Sequence, residues 1–158
     1  MLQKNIFRSF TVSFCWTSGV YTLTAFHHYY GARLYGTPWR AHIVLVGGIC
    51  LLICFLLILL YRRYQKNWLI HIYITIAMLL FGVGIGLFEG LYNHIIKDLL
   101  YFSGLNKDSW RTLFPAPAYE IPENFVFECT GMLQFPVAAV QSYYLYQVYK
   151  SLKHVSFV

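Results

Sequence analysis

Charge is what this sequence has least of. Asp, Glu, Lys and Arg make up 11% of the 158 residues, against about 25% in a soluble domain. A deficit of that size points to a chain made for lipid. Acidic residues are scarcest, six against twelve Lys and Arg. The basic excess forms no run interleaved with stacking aromatics in a polar segment, so no nucleic-acid partner is expected. Cysteine is sparse too: Cys15, Cys50, Cys54 and Cys129 all fall in apolar runs, and none makes a C-x-x-C pair. They read as small packed hydrophobes. There is no H-E-x-x-H, no internal repeat and no low-complexity segment, and no A-x-A-like cleavage site follows the first apolar run, so that run reads as a retained helix.

What is present is apolar, 58% hydrophobic with 20% aromatic. The distribution predicts a single all-α domain: an integral membrane four-helix bundle spanning roughly 9–29, 38–61, 68–90 with a helical extension to 102, and 122–149. Ser13, Thr17, Ser18, Thr22 and Thr24 in the first span are expected to face neighbouring helices. Gly31 to Gly36 reads as a tight connection, and Thr37-Pro38 as the start of the second helix. Gly82, Gly86 and Gly90 recur every four residues, so they share one face on which another backbone can pack. That face is also a candidate surface for a homo-oligomer or a partner membrane protein. Pro115, Pro117 and Pro122 predict an irregular loop over 103–121, and Pro122-Glu123 the start of the fourth helix. Gln134 and Gln141, seven apart, share a face.

The basic residues set an orientation. Lys4, Arg8, Arg62, Arg63, Lys66, Lys150 and Lys153 lie at one end of the four spans with no acid nearby. The positive-inside rule makes that end cytoplasmic, both termini with it, in a bacterial-type inner membrane or its equivalent. Every acidic residue then collects at the non-cytoplasmic end, with His27, His28, His42 and His94. An ionisable group at membrane depth is costly unless paired, and is a functional candidate by default.

Glu89, His94 and Glu128 are the candidate acid–base groups. Asn93, Lys97, Arg33 and Arg40 are the candidate ligand-binding ones, the cations suiting an anionic headgroup. Along the third helix, Glu89, Asn93 and Lys97 form one i,i+4 stripe, and His94 and Asp98 a second pair. His27, His28, His42, His94, Glu89 and Glu128 offer imidazole and carboxylate donors suited to zinc, iron or copper. Five residues separate Glu89 from His94, poor spacing for one ion on one α-helical face. If Glu89 and Glu128 serve such a site, an amide at either position is expected to leave the fold intact. The expected function is a multi-pass membrane protein whose outer-end pocket binds or transforms a small or lipid-like ligand, with metal help. The alternatives are a divalent-metal binding or transport protein, a non-catalytic subunit of a membrane complex, and a bis-histidine haem protein.

Overall fold

The computed structural model describes the backbone of residues 2–155 and the side chains of residues 7–152; Lys4 and Lys153 of the basic set lie outside the described side chains. The fold is all-helical, with no strand among the described residues. Four long helices carry it: α1 (Leu2–Leu34), α2 (His42–Tyr64), α3 (Asn67–Phe102) and α5 (Phe125–Val155). A short helix, α4 (Lys107–Leu113), lies in the long connection before α5. α5 packs along α1 and α3, and α2 closes the other side against both.

Local chemistry explains the boundaries. In α1, Thr17, Ser18 and Thr22 each donate to the carbonyl four residues back at 2.9 Å, so their hydroxyls do not compete with the helix ladder. Gly31 does not begin a turn: it is helical, and a side chain there would collide with the Phe127 ring. The helix ends at Leu34, and the chain turns at Gly36, whose φ of +62° suits glycine, with Thr37 N–H donating to Ala32 O. Pro38 opens a 3-10 turn, Pro38–Ala41, before α2 begins at His42. The loop after α3 is more ordered than its prolines suggest. Asn106 Oδ1 accepts from Ser109 N–H at 2.8 Å and starts α4, which ends before Pro115. The fourth long helix likewise starts at Phe125, where Asn124 Oδ1 accepts from Phe127 N–H at 2.9 Å, and not at Pro122.

The third helix changes its winding. It is α-helical over Asn67–Ile76, π-helical over Ala77–Ile96 and α-helical again over Lys97–Phe102. Gln141 of α5 donates to the Ala77 carbonyl at 3.1 Å where the wider winding begins, and a side chain entering the ladder is a recognised cause of such a change. In the π stretch hydrogen bonds close from i to i+5, so residues five apart stack on one face.

Two buried clusters flank this transition. Phe10, Tyr61 and Tyr73 stack at one end, with ring centroids 5.5 and 4.9 Å apart, among Cys54, Leu57 and Leu145. Val20, Phe81, Ile85 and Ala138 form a second layer nearer the site. The expected glycine face is filled from within the chain: a methyl on Gly86 would meet Ala138, and one on Gly90 the Phe135 backbone. Gly86→Leu therefore forces α3 and α5 apart. It is expected to cost about 1–3 kcal/mol, read as a lower thermal midpoint in detergent; an unchanged midpoint would mean the two helices are not in close contact there. All four cysteines are free, and Cys15 faces outward instead of packing.

Two helices, Pro38–Tyr64 and Asn67–Phe102, are long and apolar enough to cross a membrane. Leu45, Leu52 and Leu56 of α2 are 68%, 56% and 47% exposed, so much of this apolar helix faces away from the protein.

Candidate metal centre

The site lies where α1, α3 and α5 converge, beyond the Val20/Phe81 layer. α1 supplies His27 and His28, α3 supplies Glu89, Asn93, His94, Lys97 and Asp98, and α5 supplies Glu128. His27, His94, Lys97, Asp98 and Glu128 are all buried. Glu89 and His94, five apart, meet because the π winding turns them to one face.

Three donor atoms converge. His27 Nε2 and His94 Nε2 are 3.1 Å apart, and Glu89 Oε1 lies 3.5 Å from the first and 3.7 Å from the second. A point in the plane of these atoms is about 2.0 Å from each, the length of a zinc bond to imidazole nitrogen or carboxylate oxygen. His28 Nε2 stands 3.6 Å from the same Glu89 oxygen.

The hydrogen bonds behind the rings fix what these nitrogens present. His94 Nδ1 is 2.6 Å from Glu128 Oε2, and an ionised carboxylate only accepts, so His94 carries its proton on Nδ1. His27 Nδ1 is 3.0 Å from Thr130 Oγ1, whose own hydrogen is already directed at the Val126 and Phe127 carbonyls. The hydroxyl therefore accepts, and His27 also carries its proton on Nδ1. A neutral imidazole protonated on Nδ1 presents a lone pair at Nε2, and the two Nε2 atoms stand 3.1 Å apart. Two rings protonated only on Nδ1 cannot bond to one another; a proton on one Nε2 or a metal cation beside both satisfies the pair.

The surroundings hold this arrangement. Lys97 Nζ donates to Glu128 Oε1 and Oε2 at 3.1 and 3.2 Å and to Glu120 O at 3.2 Å. It also stands 3.3 Å from Asp98 Oδ1, in an ion pair whose geometry leaves both Asp98 oxygens without a hydrogen bond. The His27 ring stacks on Phe127 at 4.2 Å, and the His94 ring meets it edge-on at 4.7 Å. A side chain at Gly131 would occupy the His94 imidazole's place.

Several expectations change here. Lys97 leaves the Glu89–Asn93 stripe for Glu128, although Asn93 Nδ2 does donate to Glu89 Oε2 at 2.7 Å. His94 pairs with Glu128, and Asp98 with Lys97, so the His94–Asp98 pair does not form. Arg33 lies outside the site, exposed, with its guanidinium 5.5 Å from the Tyr29 ring. Arg40 reaches the cavity wall but is taken by Glu120 at 3.2 Å and by the Pro117 and Ala118 carbonyls. His42 turns Nδ1 to the Trp39 carbonyl and is not one of the converging donors. His27 Nε2 and His94 Nε2, 3.1 Å apart, are too close to stand on opposite faces of a porphyrin. Thr130, Gly131 and Phe127 escaped the sequence reading; the small pair Thr130-Gly131 just after Glu128 was the available signal.

A cavity of about 310 Å³ opens onto the three donors, also lined by Trp39, Ile43, Phe88 and Tyr119. Burial pushes the Tyr119 phenol above its ordinary value, so it meets the cavity as a neutral hydroxyl. Asn93 Oδ1 is buried there without a hydrogen-bond partner. No family model matches the chain, and neither curated proteins nor solved structures provide a match.

Proposed function

We propose that this is a multi-pass membrane protein, a four-helix bundle with both termini cytoplasmic. It holds one divalent transition-metal ion on His27, Glu89 and His94 and uses it to bind or transform a small or lipid-like ligand in the adjoining cavity. The observation that carries this reading is the convergence of His27 Nε2, His94 Nε2 and Glu89 Oε1, all within 3.7 Å of one another. Two histidines and one carboxylate suit zinc with an open position, or iron(II). Glu128 on His94 and Thr130 on His27 are the orienting partners such ligands need.

Charge favours the same reading. With the imidazoles of His27, His28 and His94 neutral, the four carboxylates Glu89, Asp98, Glu120 and Glu128 outnumber the cations Arg40 and Lys97 by two, an excess that a divalent ion cancels. The cations that might have held an anionic headgroup are already engaged. The apolar layer of Val20, Phe81, Ile85 and Ala138 beneath the site favours a resident ion over a transported one. The open positions of the ion face the cavity, where it can polarise an oxygen atom of a bound ligand.

The test is elemental analysis of protein purified without added chelator, with cobalt(II) titration of the stripped form. About one equivalent of metal and a cobalt absorption spectrum of low-coordinate nitrogen–oxygen type are expected. Protein that neither retains a metal nor binds cobalt above buffer level overturns the metal centre. Sidedness is tested separately. A membrane-impermeant thiol reagent should reach Lys107→Cys from the non-cytoplasmic side and leave Lys66→Cys unlabelled in intact cells. The reverse pattern would place the site at the cytoplasmic face.

A further inference from the structure

We infer that the groove between α1 and α2 binds one phospholipid of the non-cytoplasmic leaflet, with its phosphate on Arg33 and one acyl chain along the groove. The site is separate from the metal centre. It rests on the multi-pass membrane reading and not on the ion.

The groove follows from the glycines of α2. Tyr21 of α1 crosses over Gly47 and Gly48, where a Cβ would come within 3.1 and 2.9 Å of its side chain. Its hydroxyl donates to Val44 O at 3.1 Å. With that hydroxyl spent, the floor offers nothing to a polar group. The exposed side chains of Leu45, Ile49 and Leu52 on α2 and of Tyr29 on α1 form the walls.

The dimensions fit one chain. The groove has a volume of about 490 Å³, room for about sixteen water-sized groups at about 30 Å³ each. A methylene is of similar size, so one acyl chain fills the space and two exceed it. The lining follows the chain from Ala41 to Leu52, roughly 16 Å at about 1.5 Å per residue. That is the depth of one leaflet, half of a hydrocarbon core about 30 Å thick. Ala41 closes the Pro38–Ala41 turn, whose Trp39 and Arg40 line the metal cavity, so the upper end of the groove lies at the non-cytoplasmic end of the bundle.

The place of the head comes from Arg33. It lies one helical turn beyond Tyr29 on α1 and is exposed, with Nη2 3.4 Å from the Tyr29 hydroxyl. The cations of the metal cavity, Arg40 and Lys97, are taken by carboxylates. Among the described residues, no carboxylate stands within ion-pair distance of Arg33. A guanidinium bonds two phosphate oxygens at once, and the Tyr29 hydroxyl, which accepts from Arg33, still has a hydrogen to donate. A cation one turn above the start of an apolar groove one leaflet deep is the layout of a phospholipid. A headgroup with no cation of its own suits it best, because its net charge is left for Arg33.

The experiment uses the full protein in phosphatidylcholine nanodiscs containing a minor fraction of phosphatidylglycerol with a diazirine midway along one acyl chain. After illumination, tandem mass spectrometry is expected to find label on Val44, Leu45 and Leu52 in excess over Leu79 and Val83, exposed apolar residues of α3 at a similar depth. In detergent, native mass spectrometry should show one retained phospholipid, with phosphatidylglycerol bound about fivefold more tightly than phosphatidylcholine of the same chains. Arg33→Gln should bring the two lipids to equal affinity. Ile49→Trp, which fills the groove, should weaken both and remove the excess label. Both positions are exposed, and an unchanged thermal midpoint in lipid-free detergent shows that the variants are folded; the wild-type labelling contrast decides the groove without them. Equal label on the groove and on Leu79 and Val83 would mean bulk lipid only and overturns the site, leaving the membrane reading intact. A headgroup preference that persists in Arg33→Gln overturns the head assignment. A dimer in the native spectrum that Ile49→Trp separates would put a second copy of the chain in the groove in place of the lipid. No label on either helix would remove the membrane reading and the site with it, so the two failures are distinct.

Discussion

Glu89→Gln is expected to strip the protein of its metal and leave its fold intact. Glu89 supplies the one anionic donor of the three, and Oε1 is the atom that stands 3.5 and 3.7 Å from the two imidazole nitrogens. An amide oxygen in its place is a weaker ligand with no charge to offset the ion's. Loss of an outer-shell partner typically costs 10–100-fold in metal affinity, so loss of this direct ligand should exceed about 100-fold. The fold should hold for a separate reason. Glu89 makes no contact with Lys97 or Arg40 within ion-pair distance; its near partners are histidines and Asn93. Removing its charge therefore strands no lysine or arginine, and it relieves the desolvation of a carboxylate. Cobalt titration and the thermal midpoint of the metal-free protein, measured on the same preparation, check both halves. Wild-type cobalt affinity with a much lower midpoint would make Glu89 a structural residue and remove the metal centre with it.

Glu128→Gln should behave in the opposite way and lower stability by about 3–5 kcal/mol, the cost of breaking a buried ion pair from one side. A chain reading of this position expects an amide to be tolerated there. The tertiary contacts reverse that expectation: Lys97, 2% exposed, directs its ammonium at both Glu128 oxygens. With the carboxylate gone, Lys97 keeps the Glu120 carbonyl at 3.2 Å and a single anion, Asp98, at 3.3 Å and without a hydrogen bond. The same substitution loosens His94, whose Nδ1 proton then meets an amide in place of a charged oxygen, and metal affinity should fall by about 10–100-fold. The double variant Glu128→Gln/Lys97→Met separates the two effects. Removing the stranded ammonium should restore most of the lost stability and none of the metal affinity. Unfolding midpoints and cobalt dissociation constants for the three variants provide the measurement. A double variant no more stable than the single one would show that the pair is not what Glu128 contributes.

The contrast between these carboxylates marks the limit of local pattern. Both were legible as costly acids in apolar surroundings, because any carboxylate beside Phe125, Val126 and Phe127 or Leu87 and Phe88 is exceptional. Which one holds the ion and which holds a lysine was not legible. It depends on where Lys97 points, and an α-helical wheel sends that side chain to Glu89. The same wheel makes Glu89 and His94 unsuitable partners for one ion. The π winding over Ala77–Ile96 overturns both conclusions, and it coincides with a contact from Gln141, sixty-four positions away in the chain. Arg33 failed for a simpler reason: it lies one turn too far along α1 and turns to Tyr29. The helix at Lys107–Leu113 was missed through the weight given to prolines, when Asn106 and Ser109 already spelled a capped start.

By itself the sequence determined the quantities that depend on composition and short-range spacing. Those are the all-helical class, the two strongly apolar helices, the collection of His27, His94, Glu89 and Glu128 toward one end, and the glycine stripe of α3. They follow from how many residues can be left without charge and from the pitch of a helix, both of which can be read along a single chain. The tertiary structure alone decided the winding of α3, the convergence of three donor atoms, the contacts from Glu128 and Thr130 that orient the two imidazoles, and the engagement of Arg40 and Lys97 by carboxylates and carbonyls. Each of these is a competition among buried polar groups for a limited set of partners. The winner is fixed by distances between α1, α3 and α5, which no stretch of sequence contains.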